Sequence, residues 1–428
     1  MTIAPDLPAT DARIGTDCGC PEMRGLSRRG VLQGAGLAGL TYAVGSTVVS
    51  MSPAAAAGTA SSMGTNTIVV LSLRGAADGL SLVVPHADPA YYASRPTIAI
   101  PKASLLAADS AFGLHPNLAP LLPLWNAGKL AAVHATGLAV ANRSHFSAME
   151  ELEDADPGSK LRVGWLNRLL GTDDQTSPLQ GLAVGDITTQ FYGPQPVMSF
   201  SSLEEAEIAG DDKWDPTHQR VRSLHKAWDA SKSPMAAAFR STMAAVDGLA
   251  PAKAQADTSA AFPDTDLGRA LASVSRTVRG KVGVGVVTVD QGDWDMHTDL
   301  GTLTRGRMID NVTDLAGSIA AFFADLGPLA DSVTLVTISE FGRRVVENSN
   351  AGLDHGWGNV MFLAGAGVKG GTYYGTWPGL KNSLDADLTV TTDYRSVLAE
   401  IVRTRTSASL ATVFPGFTPT PIGAMRSS

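Results

Sequence analysis

Residues 333–363, VTLVTISEFGRRVVENSNAGLDHGWGNVMFL, constrain the fold more than any other stretch. A β-branched run from Val333 to Ile338 empties into Glu340. A polar loop then carries Asp354 and His355, and a second apolar run spans Val360 to Leu363. Apolar runs of this length, bounded by glycine and polar residues, are the pattern of buried strands. In open α/β sheets ligands bind beyond the carboxyl ends of strands, so side chains set there are positioned for chemistry. Glu340, Asp354 and His355 are therefore the first site candidates.

The same pattern recurs along the chain. Thr67 to Leu73 reads as a core strand running into Arg74-Gly75-Ala76-Ala77-Asp78-Gly79, where Asp78 either faces a site or closes an Asx-turn. Arg95 is suited to an anionic group or, on local evidence, to a structural salt bridge. A helix is expected from His115-Pro116 through Leu118, Leu121, Leu122 and Trp125, followed by a strand at Lys129 to His134. Ser147 and Glu150 then form a capping box. That puts Ser144 and His145 just ahead of a helix N-terminus, where free amides favour anions. Ser144 suits a nucleophile and His145 its base or a metal ligand, against the plainer alternative of a well-capped helix with an incidental histidine.

The middle of the chain is less informative. A strand is expected near Leu179 to Asp186, and Ser202 to Met243 reads as mostly helical; residues 187–264 suit an insertion or cap. Regular order returns with a helix from Leu267 to Val278 and a strand from Val282 to Val289. That strand leads into Asp290-Gln291-Gly292-Asp293-Trp294-Asp295-Met296-His297, the densest group of ligand-type side chains in the sequence. A helix over Met308 to Leu326, with Ile309, Val312, Leu315, Ile319 and Phe322 in one stripe, feeds the Val333 strand. Strands alternating with helices imply a mostly parallel sheet in a three-layer α/β/α sandwich.

Leu26-Ser27-Arg28-Arg29-Gly30-Val31-Leu32 is a twin-arginine pattern, followed by a glycine-rich, weakly apolar segment and by Ser52-Pro53-Ala54-Ala55-Ala56-Ala57. It reads as an export leader over residues 1–57, with 58–66 a linker and 67–428 the α/β domain. The alternative, a membrane anchor, fits poorly with so short and glycine-rich a run. The expected location is periplasm, cell surface or medium, with the twin-arginine translocase as a partner and no membrane span after cleavage. Both cysteines, Cys18 and Cys20, precede the twin arginines, so the mature chain would lack disulfides and thiolate ligands. A net charge of −8 without basic runs excludes a nucleic-acid-binding surface.

Five segments now place Asp78, Ser144/His145, Asp295/His297, Glu340 and Asp354/His355 just after apolar strands. Carboxylate and imidazole donors without sulfur suit zinc first, with manganese or calcium as alternatives. Two such ions about 4 Å apart can clamp an in-line displacement at phosphorus.

Several motifs carry a family resemblance. They are Leu73-Arg74-Gly75-Ala76-Ala77-Asp78-Gly79-Leu80, Arg143-Ser144-His145-Phe146, Trp294-Asp295-Met296-His297, Ser339-Glu340-Phe341-Gly342-Arg343 and Asp354-His355-Gly356. Gly367-Val368-Lys369-Gly370-Gly371 and Trp377-Pro378-Gly379-Leu380 continue the match. Through these the chain resembles an exported bacterial family called domain of unknown function 1501, related in fold to alkaline phosphatases and sulfatases. The resemblance implies an alkaline-phosphatase-like fold and a metal-dependent hydrolase or transferase acting on a small-molecule or glycan ester of phosphate or sulfate. It further implies Ser144 as nucleophile, Asp78, Asp295, His297, Glu340, Asp354 and His355 as metal ligands, and Arg74, Arg143 or Arg343 on the anion. In the superfamily an Asp-His-Gly follows a late strand, and here Phe341 stands where the histidine would. That departure motivates a second expectation, a non-catalytic envelope protein with a degenerate metal site that binds a glycan or a protein.

Overall fold

The computed structural model describes residues 40–44, 47–51, 65–172, 177–208 and 215–426. The twin-arginine pattern, both cysteines, the expected cleavage region and most of the linker lie outside the described residues. In chain order the strands are β1 Leu40–Val44, β2 Thr47–Met51, β3 Thr67–Leu73, β4 Val83–Val84, β5 Gly113–Leu114, β6 Leu130–Gly137 and β7 Gly181–Val184. They continue with β8 Val197–Phe200, β9 Val286–Gln291, β10 Val333–Ile338, β11 Asn359–Gly365, β12 Tyr373–Tyr374 and β13 Thr392–Asp393.

Eleven of these form one sheet in the order β1-β2-β8-β7-β9-β3-β10-β11-β6-β12, with β13 also on β6. Strands β8, β7, β9, β3 and β10 run parallel to one another. β11 is antiparallel to both β10 and β6, so β6 shares the direction of β3. The chain is thus a mixed α/β protein with a mostly parallel central sheet. β1 and β2, inside the segment read as a leader, form a hairpin that pairs with β8.

The central strands are apolar on both faces because both faces are covered. Along β3, Val69, Leu71 and Leu73 join a core with Leu271 and Val274 of the helix Asp266–Arg279 and Leu315 and Phe322 of the helix Arg307–Leu326. Ile68 and Val70 point the other way, to Leu152, Trp165, Val397 and Leu398 of three helices on the opposite face. The period-2 alternation of β3 therefore feeds two cores, one on each side of the sheet.

Three local expectations need correction. The stretch after His115 is no single helix: Pro120 and Pro123 lack an amide donor and clash with a continuing α-helix, so a 3-10 run over Pro116–Leu121 precedes a short helix over Leu122–Asn126. The helix expected to start near Ser147 spans His145–Asp154 with Ser144 at the N-cap. Asn142 accounts for the shift, since its Oδ1 accepts from the Ser144 amide at 3.1 Å and its Nδ2 donates to the Ser147 hydroxyl at 3.0 Å. Finally, β8 falls within the span read as an insertion, yet it belongs to the main sheet.

A candidate metal centre at the carboxyl edge of the sheet

Parallel strands end on one side. Register pairs Leu73 with Gln291 and Ile338 with Ser72, so the segments after β3, β9 and β10 emerge side by side, with the β6 segment across β11. Asp354 and His355 reach the same edge for the opposite reason: they precede β11, which runs antiparallel and therefore begins there. One reversed strand completes the site.

At this edge three imidazoles and one carboxylate meet. His145 Nε2 lies 3.0 Å from His355 Nε2, and His297 Nε2 lies 2.9 Å from the same atom. Asp295 Oδ1 is 3.1 Å from His297 Nε2 and 3.8 Å from the Nε2 atoms of both His145 and His355. The donor atoms of His145, Asp295 and His355 all fall within 4.8 Å of one another, so this group could hold a metal ion. The side chains remain between 18% and 37% exposed, which leaves the centre open to small molecules from one side.

The other ring nitrogens point outward to acceptors. His145 Nδ1 faces Glu340 Oε1 at 2.9 Å, His297 Nδ1 faces Asp354 Oδ1 at 3.2 Å, and His355 Nδ1 faces the Arg143 carbonyl at 2.8 Å. Glu340 is buried and also accepts from the Gly75 amide at 2.8 Å and the Ser339 hydroxyl at 3.1 Å. Burial pushes its pKa up, but hydrogen bonds from His145 and the Gly75 amide outweigh that and hold it below the usual range. Asp354 is likewise held low, burial being outweighed by hydrogen bonds from Asn348 and His297. Burial pushes the Asp295 pKa up, but the hydrogen bonds from His297 and Arg343 and the Arg343 charge overcome that and hold it far below the ordinary carboxylate range. The hydrogen bond to Asp295 raises the His297 pKa against the effect of burial.

Of the other predicted residues, Asp78 does not join this centre. Both its oxygens accept from the Arg95 guanidinium, and Ser81 donates to it as well, with Arg95 and Asp78 almost wholly buried. Arg95 is thus the structural salt bridge, and Asp78 is its partner. Arg343 reaches Asp295 at 2.6 Å, but its remaining donors go to the carbonyls of Gly75, Ala76 and Leu353. It ties the three loops together rather than facing an anion. Arg74 pairs with Glu153 and Asp290, and Arg143 with Asp387. Ser144 sits at the N-cap beside His145, and its hydroxyl makes no capping hydrogen bond. Asn348, which the sequence reading overlooked, donates to both Asp354 at 3.1 Å and the His297 carbonyl at 2.9 Å. Nothing in its Asn-Ser-Asn context distinguishes it from a turn residue.

A protein-family model described as "Protein of unknown function (DUF1501)" matches residues 128–401, more than half of the chain. The chain belongs to this family. The DUF1501 match takes in His145, Asp295, His297, Glu340, Arg343, Asp354 and His355, and thus every side chain of the centre. It begins after the Arg74 to Gly79 turn, so Asp78 falls outside it. No curated protein matches the sequence.

Proposed function

We propose that this DUF1501 protein is an exported, metal-dependent hydrolase or transferase of the alkaline-phosphatase-like class, acting on a phosphate or sulfate ester. The observation that carries the reading is the convergence of His145, Asp295, His297 and His355 at the carboxyl edge of a mostly parallel sheet. Nitrogen and carboxylate donors without sulfur favour zinc, with manganese and calcium as alternatives. When bound, such an ion supplies Lewis-acid polarisation of a phosphoryl or sulfuryl oxygen. The protein's own part falls to Ser144, whose hydroxyl is not spent on capping and which stands at the first turn of a helix of ten residues. It would attack phosphorus or sulfur, release the alcohol, and leave a seryl ester for water to hydrolyse. Helix amides would favour the transferred anion. Arg143, 40% exposed, is the most accessible of the three candidate arginines and would have to leave Asp387 to take part.

Supporting export are the twin-arginine pattern and the small-residue stretch after it. A panel of phosphate and sulfate esters assayed on zinc-loaded protein tests the activity. Ser144→Ala should abolish turnover while zinc stays bound, and turnover surviving in that variant would remove Ser144 from the mechanism.

A second reading has one observation in its favour. Arg74, Arg143 and Arg343 are all engaged by carboxylates, which suits a non-catalytic envelope protein that keeps a metal centre and binds a glycan or a protein. No turnover across the panel, together with measurable glycan binding, would favour it.

A further inference from the structure

We infer that His297 is a fourth ligand of the metal centre, and that Glu340 and Asp354 are not ligands but outer partners that orient His145 and His297. The inference rests on the metal-dependent reading above and specifies its coordination. It follows from where each ring nitrogen points. His355 Nδ1 faces a backbone carbonyl, which can only accept, so this nitrogen carries a proton and a neutral ring leaves a lone pair on Nε2. Two further Nε2 atoms, from His145 and His297, approach that lone pair at 3.0 and 2.9 Å. Their own Nδ1 atoms face carboxylates, which also require donors.

With protons alone, both flanking rings would have to be doubly protonated, His145 aimed at that lone pair and His297 at the same lone pair or at Asp295 Oδ1, 3.1 Å away. A cation at the point of convergence removes the conflict: each ring keeps one proton on Nδ1 for its acceptor and turns its Nε2 lone pair inward. Metal-binding histidines use this arrangement, donating the remote N–H to a carboxylate or carbonyl.

The spacing agrees. Zinc–nitrogen bonds of about 2.0–2.1 Å at tetrahedral angles separate ligand atoms by about 3.3 Å. Five of the six separations among the four donor atoms are 2.9, 3.0, 3.1, 3.8 and 3.8 Å, on either side of that value. Glu340 has no such freedom. One of its oxygens serves His145 and the Gly75 amide, the other serves Ser339, and the side chain is 3% exposed. Asp354 lies on the outer side of His297, shared with Asn348.

The test is zinc content after dialysis and zinc affinity by competition with a chromophoric chelator, with circular dichroism as the control for folding. Cobalt(II) in place of zinc reports the donor set through its visible spectrum. The parent should hold one zinc per chain, and His297→Ala should lose it as His145→Ala does. His297→Gln, closer in volume, replaces His297→Ala if the latter fails to fold. Glu340→Gln and Asp354→Asn should keep one zinc with affinity about 10–100-fold weaker. Parental affinity in His297→Ala overturns the inference, as does complete loss of zinc from folded Glu340→Gln or Asp354→Asn, or a folded parent that takes up no zinc. The expected pattern of losses without any ester turnover upholds the coordination and sinks the hydrolase reading alone.

Discussion

Replacing Asp78 with alanine separates a structural carboxylate from a metal ligand. Asp78 and Arg95 have side chains 2% and 0% exposed, and the pair is bidentate. The guanidinium also donates to the carbonyls of Val345 at 2.9 Å and Arg344 at 3.0 Å, so it clamps the loop after β3 to the loop after β10. Alanine would leave a full charge buried with only carbonyl and hydroxyl partners, and breaking a buried pair in this way costs about 3–5 kcal/mol. Adding Arg95→Met removes the stranded charge but leaves two carbonyls unpaired, at about 1–3 kcal/mol each. The double variant should therefore recover only part of the loss. Urea unfolding at fixed zinc concentration, followed by tryptophan fluorescence, measures both. Zinc content should stay at the parental level throughout, because Asp78 lies outside the centre. A folded Asp78→Ala protein that loses zinc with a stability change below about 1 kcal/mol would refute the assignment and return Asp78 to the ligand set.

Gly75→Ala should weaken zinc binding in a protein that still folds. Gly75 has φ +105°, and a Cβ there would stand 2.5 Å from the Asp295 amide, displacing the ligand segment; unchanged affinity by chelator competition would contradict this. Burial lowers the pKa of both His115 and His134 to about 4, so both are neutral in the folded protein while the unfolded chain begins to protonate near pH 6.5. Stability is therefore retained above pH 6.5 and lost as pH falls toward 4, by up to about 3 kcal/mol per histidine. His115→Asn, which keeps an acceptor for the Asn117 amide, should flatten the pH dependence of the melting temperature; an unaltered slope would count against it. Buried Glu400 accepts from the amides of Ile422, Gly423, Ala424 and Met425, so Glu400→Ala should free the C-terminal segment for limited proteolysis while the sheet stays intact.

The core strands were readable because burial on both faces writes an unbroken apolar run. Val333 to Ile338 and Thr67 to Leu73 were located to the residue for that reason. β8 was not, since four residues ahead of a polar stretch carry too little periodicity to stand out from a loop. At the site, residue types were readable but roles were not. A carboxylate beside a strand end looks the same whether it meets a metal, a histidine or an arginine. Asp295 joins a group that could hold a metal ion, Glu340 meets His145, and Asp78 meets Arg95. The partner that separates the roles is not adjacent in sequence: Glu340 meets His145 from 195 residues away, and Asp78 meets Arg95, 17 residues on, beyond two short helices and β4.

The direction of β11 decides which segment can reach the candidate centre. Had β11 run parallel to β10, the loop before it would open on the far edge, and His355 would be absent from the centre. Reversed, it delivers His355 beside His145. Phe341, 2% exposed, packs at the same place: its ring centroid lies 4.9 Å from those of both His145 and His355, an apolar wall against two imidazoles of the candidate centre. Such a wall excludes water from the inner side and holds both rings in the orientation that their Nδ1 partners require. The three histidines of the candidate centre thus come from the β6, β9 and β11 segments, with Phe341 packed against two of them.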